Sequence, residues 1–155
     1  MEKFEPVIVA FCCHYCAYTA ADMAGSMRLN YPTNVKIVRV PCSGKVDSIH
    51  MMKAVEKGAD GVLVAGCLEG DCHFKNGNIK AQQRVTFVRN LLEEVGIEPQ
   101  RLQMVTMSAG MGTRFAKIAN EFTEEIRNLG PNPINAAKSQ QAAADGTSNR
   151  VAGAE

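Results

Sequence analysis

The sequence has no apolar run long enough to cross a bilayer and almost no net charge. None of its apolar stretches approaches the roughly 20 residues that a membrane-spanning helix requires, and 17 basic residues nearly balance 16 acidic ones. The composition therefore gives no reason to expect a membrane or a nucleic acid as a partner. The N-terminal segment Met1-Glu2-Lys3-Phe4-Glu5-Pro6 lacks the basic start and apolar core of a signal peptide, which predicts a cytoplasmic protein.

Common nucleotide-binding and catalytic motifs are also absent. Neither G-x-G-x-x-G nor G-x-x-x-x-G-K-[ST] occurs, and the first predicted loop carries cysteine, histidine and tyrosine where a phosphate site would need glycine. No Ser-His-Asp set or pair of carboxylates stands out from its surroundings. The sequence therefore argues against a phosphate-binding protein and gives no support to a hydrolase.

Apolar runs alternate with segments of helical periodicity along most of the 155 residues. The pattern predicts strands over residues 6–11, 35–40, 61–65 and 102–107, and helices over residues 17–29, 47–57, 78–95 and 112–129. Asn78 is the candidate cap of the third of these helices. Such alternation indicates the α/β class, with a single doubly wound parallel sheet of four strands and helices on both faces. A flavodoxin-like strand order of 2-1-3-4 is the expected arrangement.

Composition divides the chain at residue 131. Residues 1–131 are long enough for one domain with its own core. From residue 132 to residue 155 the chain is rich in Ala, Gln, Ser, Gly and Asn and has scarcely any large apolar side chain. We expect this low-complexity C-terminal tail to bury too little surface to fold alone.

All six cysteines lie at or just after the end of a predicted strand. Cys12, Cys13 and Cys16 follow the first strand, Cys42 follows the second, and Cys67 and Cys72 follow the third. In the expected strand order these three strands are neighbours, so the thiols should converge at one edge of the sheet. In a reducing cytosol, clustered cysteines more often bind metal or perform redox chemistry than form structural disulfides.

An iron-sulfur cluster is one chemistry that fits this cysteine pattern. A [2Fe-2S] or [4Fe-4S] cluster needs four thiolates, and Cys13 and Cys16 have the two-residue spacer typical of such ligands. Cys42 and one or both of Cys67 and Cys72 would complete the set. Cys12 directly follows the strand and is expected in the core, whereas His14 and His73 could be ligands or hydrogen-bond donors.

Two other chemistries remain open from the residues alone. A zinc-stabilised scaffold would use the same thiolates, although only one pair has the short spacing typical of structural zinc sites. A cytosolic thiol-disulfide oxidoreductase would use Cys13 and Cys16, because this spacing at the start of a helix lowers the pKa of the first thiol. That hypothesis leaves Cys42, Cys67 and Cys72 without a role.

A longer series of ordered motifs runs through the chain. It consists of residues 11–18, 21–25, 31–32, 40–44, 58–62, 66–67, 70–73, 77–78, 101–102, 115–116 and 129–131. Together these motifs resemble the delta subunit of methyl-viologen-reducing hydrogenase, over about residues 6–131. This chain differs from the family pattern in two places. The loop at residues 108–112 lacks the acidic residue associated with the family there, and the C-terminal tail is an addition.

The resemblance implies a small electron-transfer subunit, not itself catalytic, that carries one [2Fe-2S] cluster. Such a subunit relays electrons between a hydrogenase or formate dehydrogenase module and the flavin subunit of heterodisulfide reductase. It works within a hetero-oligomeric complex of anaerobes that performs flavin-based electron bifurcation. Five residues match the cysteines of the family and are candidates for four ligand positions: Cys13, Cys16, Cys42, Cys67 and Cys72.

Overall fold

The computed structural model describes residues 3–148, which form one four-stranded parallel sheet with helices on both faces. The strands are β1 Ile8–Cys13, β2 Val35–Val40, β3 Gly61–Gly66 and β4 Leu102–Thr106. The helices are α1 Ala17–Ser26, α2 Ser48–Glu56, α3 Gly77–Glu94, α4 Gly112–Leu129 and α5 Pro133–Ser148. The sheet order is β2-β1-β3-β4, which confirms the predicted α/β class and flavodoxin-like order.

The central strand β1 is shifted along the chain relative to its prediction. It begins at Ile8 and continues through Cys12 and Cys13, because β1 pairs with a neighbour on each side almost to its end.

Helix α1 ends at Ser26, three residues before the predicted end. Arg28 there has a φ of 55°, a left-handed conformation that stops the helix.

Each face of the sheet is covered by one pair of helices. Ile8, Ala10 and Leu63 pack with α1 and α4 on one face, whereas Val62 and Val64 pack with α2 and α3 on the other. Every residue of β3 is buried, since this strand lies inside the sheet and is covered on both faces. This arrangement leaves the ends of the strands as the places where loops can build a site.

The first part of the predicted tail is helical in the structure. Helix α5 is attached at its start, where the buried Asn132 donates its backbone N–H to Asp60 Oδ1 at 2.8 Å and its side-chain amide to Val55 O and Ala59 O, both at 2.9 Å. The side chains of residues 136–144 are exposed, so the helix adds little apolar burial. Residues 149–155 of the predicted tail lie outside the described residues, and the division at residue 131 stays a prediction.

None of the helices described between residues 3 and 148 combines the length and the apolar character that a membrane span needs.

Candidate metal centre

The carboxyl edge of the sheet carries the candidate ligands. Cys13 is the last residue of β1, Cys16 is the residue before α1, and Cys67 directly follows β3. Cys42 leads into a 3-10 turn at Ser43–Lys45, and Cys72 lies in the loop before α3. Cys72 is partly buried and the other four are buried, so the site lies just beneath the surface.

Three thiols form an inner group. The sulfur atoms of Cys13, Cys16 and Cys67 all lie within 4.8 Å of one another, and those of Cys13 and Cys67 are 3.8 Å apart. Two thiolates bound to one tetrahedral metal at about 2.3 Å lie roughly 3.8 Å apart, since the tetrahedral angle fixes their separation. The spacing of Cys13 and Cys67 therefore suits two ligands of one metal ion.

The remaining two thiols form an outer pair. The side chains of Cys42 and Cys72 contact each other, and Cys42 also lies close enough to Cys13 to interact with its charge. The backbone N–H of Gly44 donates to Cys42 Sγ at 3.4 Å. The structure thus brings together all five cysteines predicted as ligands, in one group of three and one group of two.

Cys12 does not belong to this set. Its side chain is fully buried among the apolar residues between the sheet and α1 and α4. Burial, assisted by the neighbouring Cys13, raises the pKa of Cys12 to about 12, so this thiol stays protonated. The expected core position of Cys12 agrees with the structure.

The inner thiols change one another's pKa through hydrogen bonds. A hydrogen bond from Cys16 lowers the pKa of Cys13 to about 5, against the effect of burial, and the backbone amides of Tyr15 and Ser43 contribute in the same direction. The pKa of Cys16 is raised by the same hydrogen bond and by burial. This surrounding favours at least one thiolate, the form that binds metal.

Backbone amides also favour a thiolate in the outer pair. Burial acts to raise the pKa of Cys72, but hydrogen bonds from the amides of Asn78, Phe74 and Gly77 hold it below its usual value. Burial raises the pKa of Cys42. The amides at the start of α3 are therefore aimed at a sulfur atom that metal binding would leave negatively charged.

Two glycines make room for the outer pair. A Cβ atom on Gly77 would lie under 3.0 Å from Cys42 Sγ and 3.3 Å from Cys72 Sγ. A Cβ atom on Gly44 would lie 2.8 Å from the Gly77 Cα, so the 3-10 turn and α3 touch backbone to backbone. The need for glycine at both positions depends on contacts between distant segments, which local sequence patterns do not show.

The predicted role of Asn78 as the cap of α3 is wrong. The residue before the helix is Asn76, whose side chain makes no capping hydrogen bond. Asn78 is buried and its side-chain amide donates to Cys67 O at 3.1 Å and to Leu68 O at 2.9 Å. It therefore holds the loop that carries Cys67, a long-range role that the local capping pattern did not indicate.

Rings from two cysteine loops pack against one another next to the candidate ligands. Tyr15 and His73 stack with their centroids 4.0 Å apart and their planes at 16°, and Phe74 contacts both rings edge-on. His14 contacts Tyr15 in the same way. Among the described residues, the group of three ligand atoms close enough to hold one ion contains only cysteines, so neither His14 nor His73 joins it.

Comparison with known protein families matches residues 8–130 to the family described as methyl-viologen-reducing hydrogenase, delta subunit. The chain belongs to this family. The match covers all four strands and every candidate ligand of this delta-subunit family member. It confirms the resemblance found in the sequence motifs.

Two relatives of this delta-subunit chain are named as iron-sulfur subunits of F420-non-reducing hydrogenases. The one from Archaeoglobus profundus is 51% identical over 130 residues, which cover 84% of this chain and 95% of that protein. The one from Methanocaldococcus jannaschii, which belongs to the vhu form of the hydrogenase, is 47% identical over 132 residues, covering 85% and 98%.

A third relative contains a similar segment within a much longer chain. This relative is a polypeptide of the ferredoxin/F420H2-dependent CoB-CoM heterodisulfide reductase of Methanosarcina acetivorans, and it is 42% identical over 126 residues. These residues cover 81% of this chain but only 16% of that protein. In that organism, a unit of the delta-subunit type is part of a heterodisulfide reductase polypeptide.

Proposed function

We propose that this chain is an electron-transfer subunit that holds one [2Fe-2S] cluster with four of the residues Cys13, Cys16, Cys42, Cys67 and Cys72. The observation that carries the proposal is the meeting of five thiols at one edge of the sheet, three of them within 4.8 Å of one another. Two relatives are named iron-sulfur subunits, which supports the same type of cofactor.

The division of the thiols into two groups favours the two-iron cluster. A [2Fe-2S] cluster is held by two cysteines on each iron, and it supplies reversible one-electron transfer. The outer pair, Cys42 and Cys72, suits one iron, and two of the three inner thiols suit the other. The 3.8 Å between the sulfur atoms of Cys13 and Cys67 makes these two the natural inner ligands.

The surrounding residues would tune and protect the site. Backbone amides that donate to the sulfur atoms, such as that of Gly44 to Cys42, withdraw negative charge and raise the reduction potential. The stacked rings of Tyr15 and His73 limit the access of water. Partial exposure of Cys72 places the site close enough to the surface for exchange with a docked protein.

The proposed partners are a hydrogenase or formate dehydrogenase module and the flavin subunit of heterodisulfide reductase, in a cytoplasmic hetero-oligomeric complex that performs electron bifurcation. One relative joins a segment similar to this chain to a heterodisulfide reductase polypeptide. Units that are separate chains in one organism and one chain in another usually work together. The relatives named as hydrogenase subunits support the other side of the relay.

A thiol-disulfide oxidoreductase is the second candidate, since the pKa of Cys13 is lowered as in such enzymes. Its burial argues against this function, because the Cys13 side chain is only 1% exposed and a substrate disulfide must reach the attacking sulfur. A zinc-stabilised scaffold fits the 3.8 Å spacing equally well and, like the cluster, needs four of the five thiols, so analysis of the bound metal has to separate the two.

Electron exchange with a partner tests the proposal. Protein purified without oxygen and reduced with dithionite is freed of reductant and mixed with the oxidised flavin subunit in a stopped-flow spectrometer. We expect bleaching of the flavin absorption together with recovery of the visible absorption of the oxidised cluster. A colourless protein that instead reduces the disulfides of insulin would overturn the proposal in favour of the second candidate.

A further inference from the structure

A groove opens beside the outer cysteine pair and is lined by basic side chains. Its volume is about 360 Å³, and its walls include Lys45 from the 3-10 turn, Lys80 and Arg84 from α3, and the exposed ring of Phe74. Cys42 is part of the lining, so the groove reaches the candidate metal centre directly. Among the residues that the structure describes, no carboxylate lines it.

Two of the three cations have no counter-charge within residues 3–148. Arg84 is engaged by the fold, since its Nη1 donates to Gly44 O at 2.5 Å and to Val46 O at 3.3 Å, and its Nε lies 4.0 Å from Asp47 Oδ1. Lys45 and Lys80 are exposed and form no ion pair within residues 3–148. Their charges are therefore available to a second molecule.

The groove lies where a redox partner has to approach. Cys72 is the least buried of the six cysteines, and Cys42 lines the groove itself. The ring of Phe74 is 51% exposed at the rim and contacts the stacked rings of Tyr15 and His73. Exposed aromatic rings are enriched at protein interfaces, where they contribute apolar contact area next to charged groups.

We propose that this groove docks an acidic surface segment of the protein that exchanges electrons with this subunit. Carboxylates of the partner pair with Lys45 and Lys80, and an apolar side chain of the partner packs on Phe74. The inference rests on the proposed electron-transfer function and adds the place and the charge of the contact. Opposite charges at such a contact accelerate encounter and orient the two proteins.

A charge-reversal pair with a matched control tests the docking surface. The double variant Lys45→Glu/Lys80→Glu changes the groove, whereas Lys36→Glu/Lys57→Glu makes the same change of charge at the opposite edge of the sheet, where β2 begins and α2 ends. Association with the heterodisulfide reductase flavin subunit and with the hydrogenase is measured in turn by biolayer interferometry, on variants with wild-type iron content.

We expect the groove variant to associate about tenfold more slowly than wild type with at least one of these proteins at low salt, and the control variant to associate normally. The difference should shrink as salt screens the charges. A carbodiimide cross-linker, which joins lysine to carboxylate, should link Lys45 or Lys80 of the wild-type protein to the partner.

The experiment distinguishes failure of the docking surface from failure of the proposed partners. The docking surface is wrong if the groove variant associates as fast as the wild-type protein, or if the control variant is slowed as much as the groove variant. Either result leaves the proposed function intact. Absence of any association between the wild-type protein and either partner contradicts the proposed partners themselves, and the docking proposal falls with them.

Discussion

Replacing Gly77 with alanine should remove the metal centre while leaving the chain folded. The added methyl group would lie under 3.0 Å from Cys42 Sγ and 3.3 Å from Cys72 Sγ, whereas ordinary contacts begin at 3.4 Å. Cys42 must therefore move its sulfur by about 1 Å or change rotamer. Metal-sulfur bonds tolerate deviations of only about 0.2 Å, so the outer pair can no longer serve as ligands.

The Gly77→Ala substitution should lower the stability of the fold only slightly, although it disrupts metal binding. Overpacking of this kind destabilises a protein by about 1–3 kcal/mol, whereas a domain is typically stable by about 5–15 kcal/mol. Gly77 is the first residue of α3, and alanine is compatible with a helix. We therefore expect a folded protein that has lost most of the wild-type iron.

The assay compares this variant with a second glycine substitution. Gly25 lies in α1 with no heavy atom within 4 Å of its added Cβ, so Gly25→Ala should keep full iron and gain up to about 1 kcal/mol of stability. Iron per chain, acid-labile sulfide and far-ultraviolet circular dichroism are measured on both. Full iron content in Gly77→Ala would refute the placement of the outer pair.

Three further predictions concern single residues. Cys42→Ser should lose the cluster whereas Cys12→Ala should retain it, as iron and sulfide analysis will show; wild-type iron in Cys42→Ser would contradict the ligand assignment. Asn78→Ala leaves the buried Cys67 carbonyl without its side-chain donor and removes one of the two donors to Leu68 O, so it should lower stability by about 1–3 kcal/mol, measured by urea unfolding. Arg101 is 1% exposed and donates to four carbonyls and to Glu98, so Arg101→Lys should lower the melting temperature without changing the iron content per folded chain.

The sheet and the meeting of the cysteines could be predicted because both follow from local patterns. Apolar runs mark buried parallel strands, and regular alternation with helices restricts the strand order to a few arrangements. Once Cys13, Cys42 and Cys67 are placed at the ends of neighbouring strands, the parallel sheet brings them to one edge. The grouping of five thiols into three and two required the structure.

Contacts between distant segments account for what the sequence did not predict. Asn78 has the position expected of a helix cap, but burial turns its amide toward Cys67 O, eleven residues away. The need for glycine at residues 44 and 77 arises only where the 3-10 turn meets α3. Similarly, the start of α5 at Pro133 is attached to the domain because the Asn132 side chain finds the carbonyls of Val55 and Ala59, contacts that no local pattern reveals.

The most direct test of the central claim is the metal content of the wild-type protein purified without oxygen. Iron, acid-labile sulfide and zinc are measured per chain, and the electron paramagnetic resonance spectrum is recorded after reduction with dithionite. We expect about two irons and two sulfides with a low-temperature S = 1/2 signal. Zinc in place of iron, or no metal at all, would contradict the proposed cluster and favour the scaffold or the thiol-disulfide enzyme.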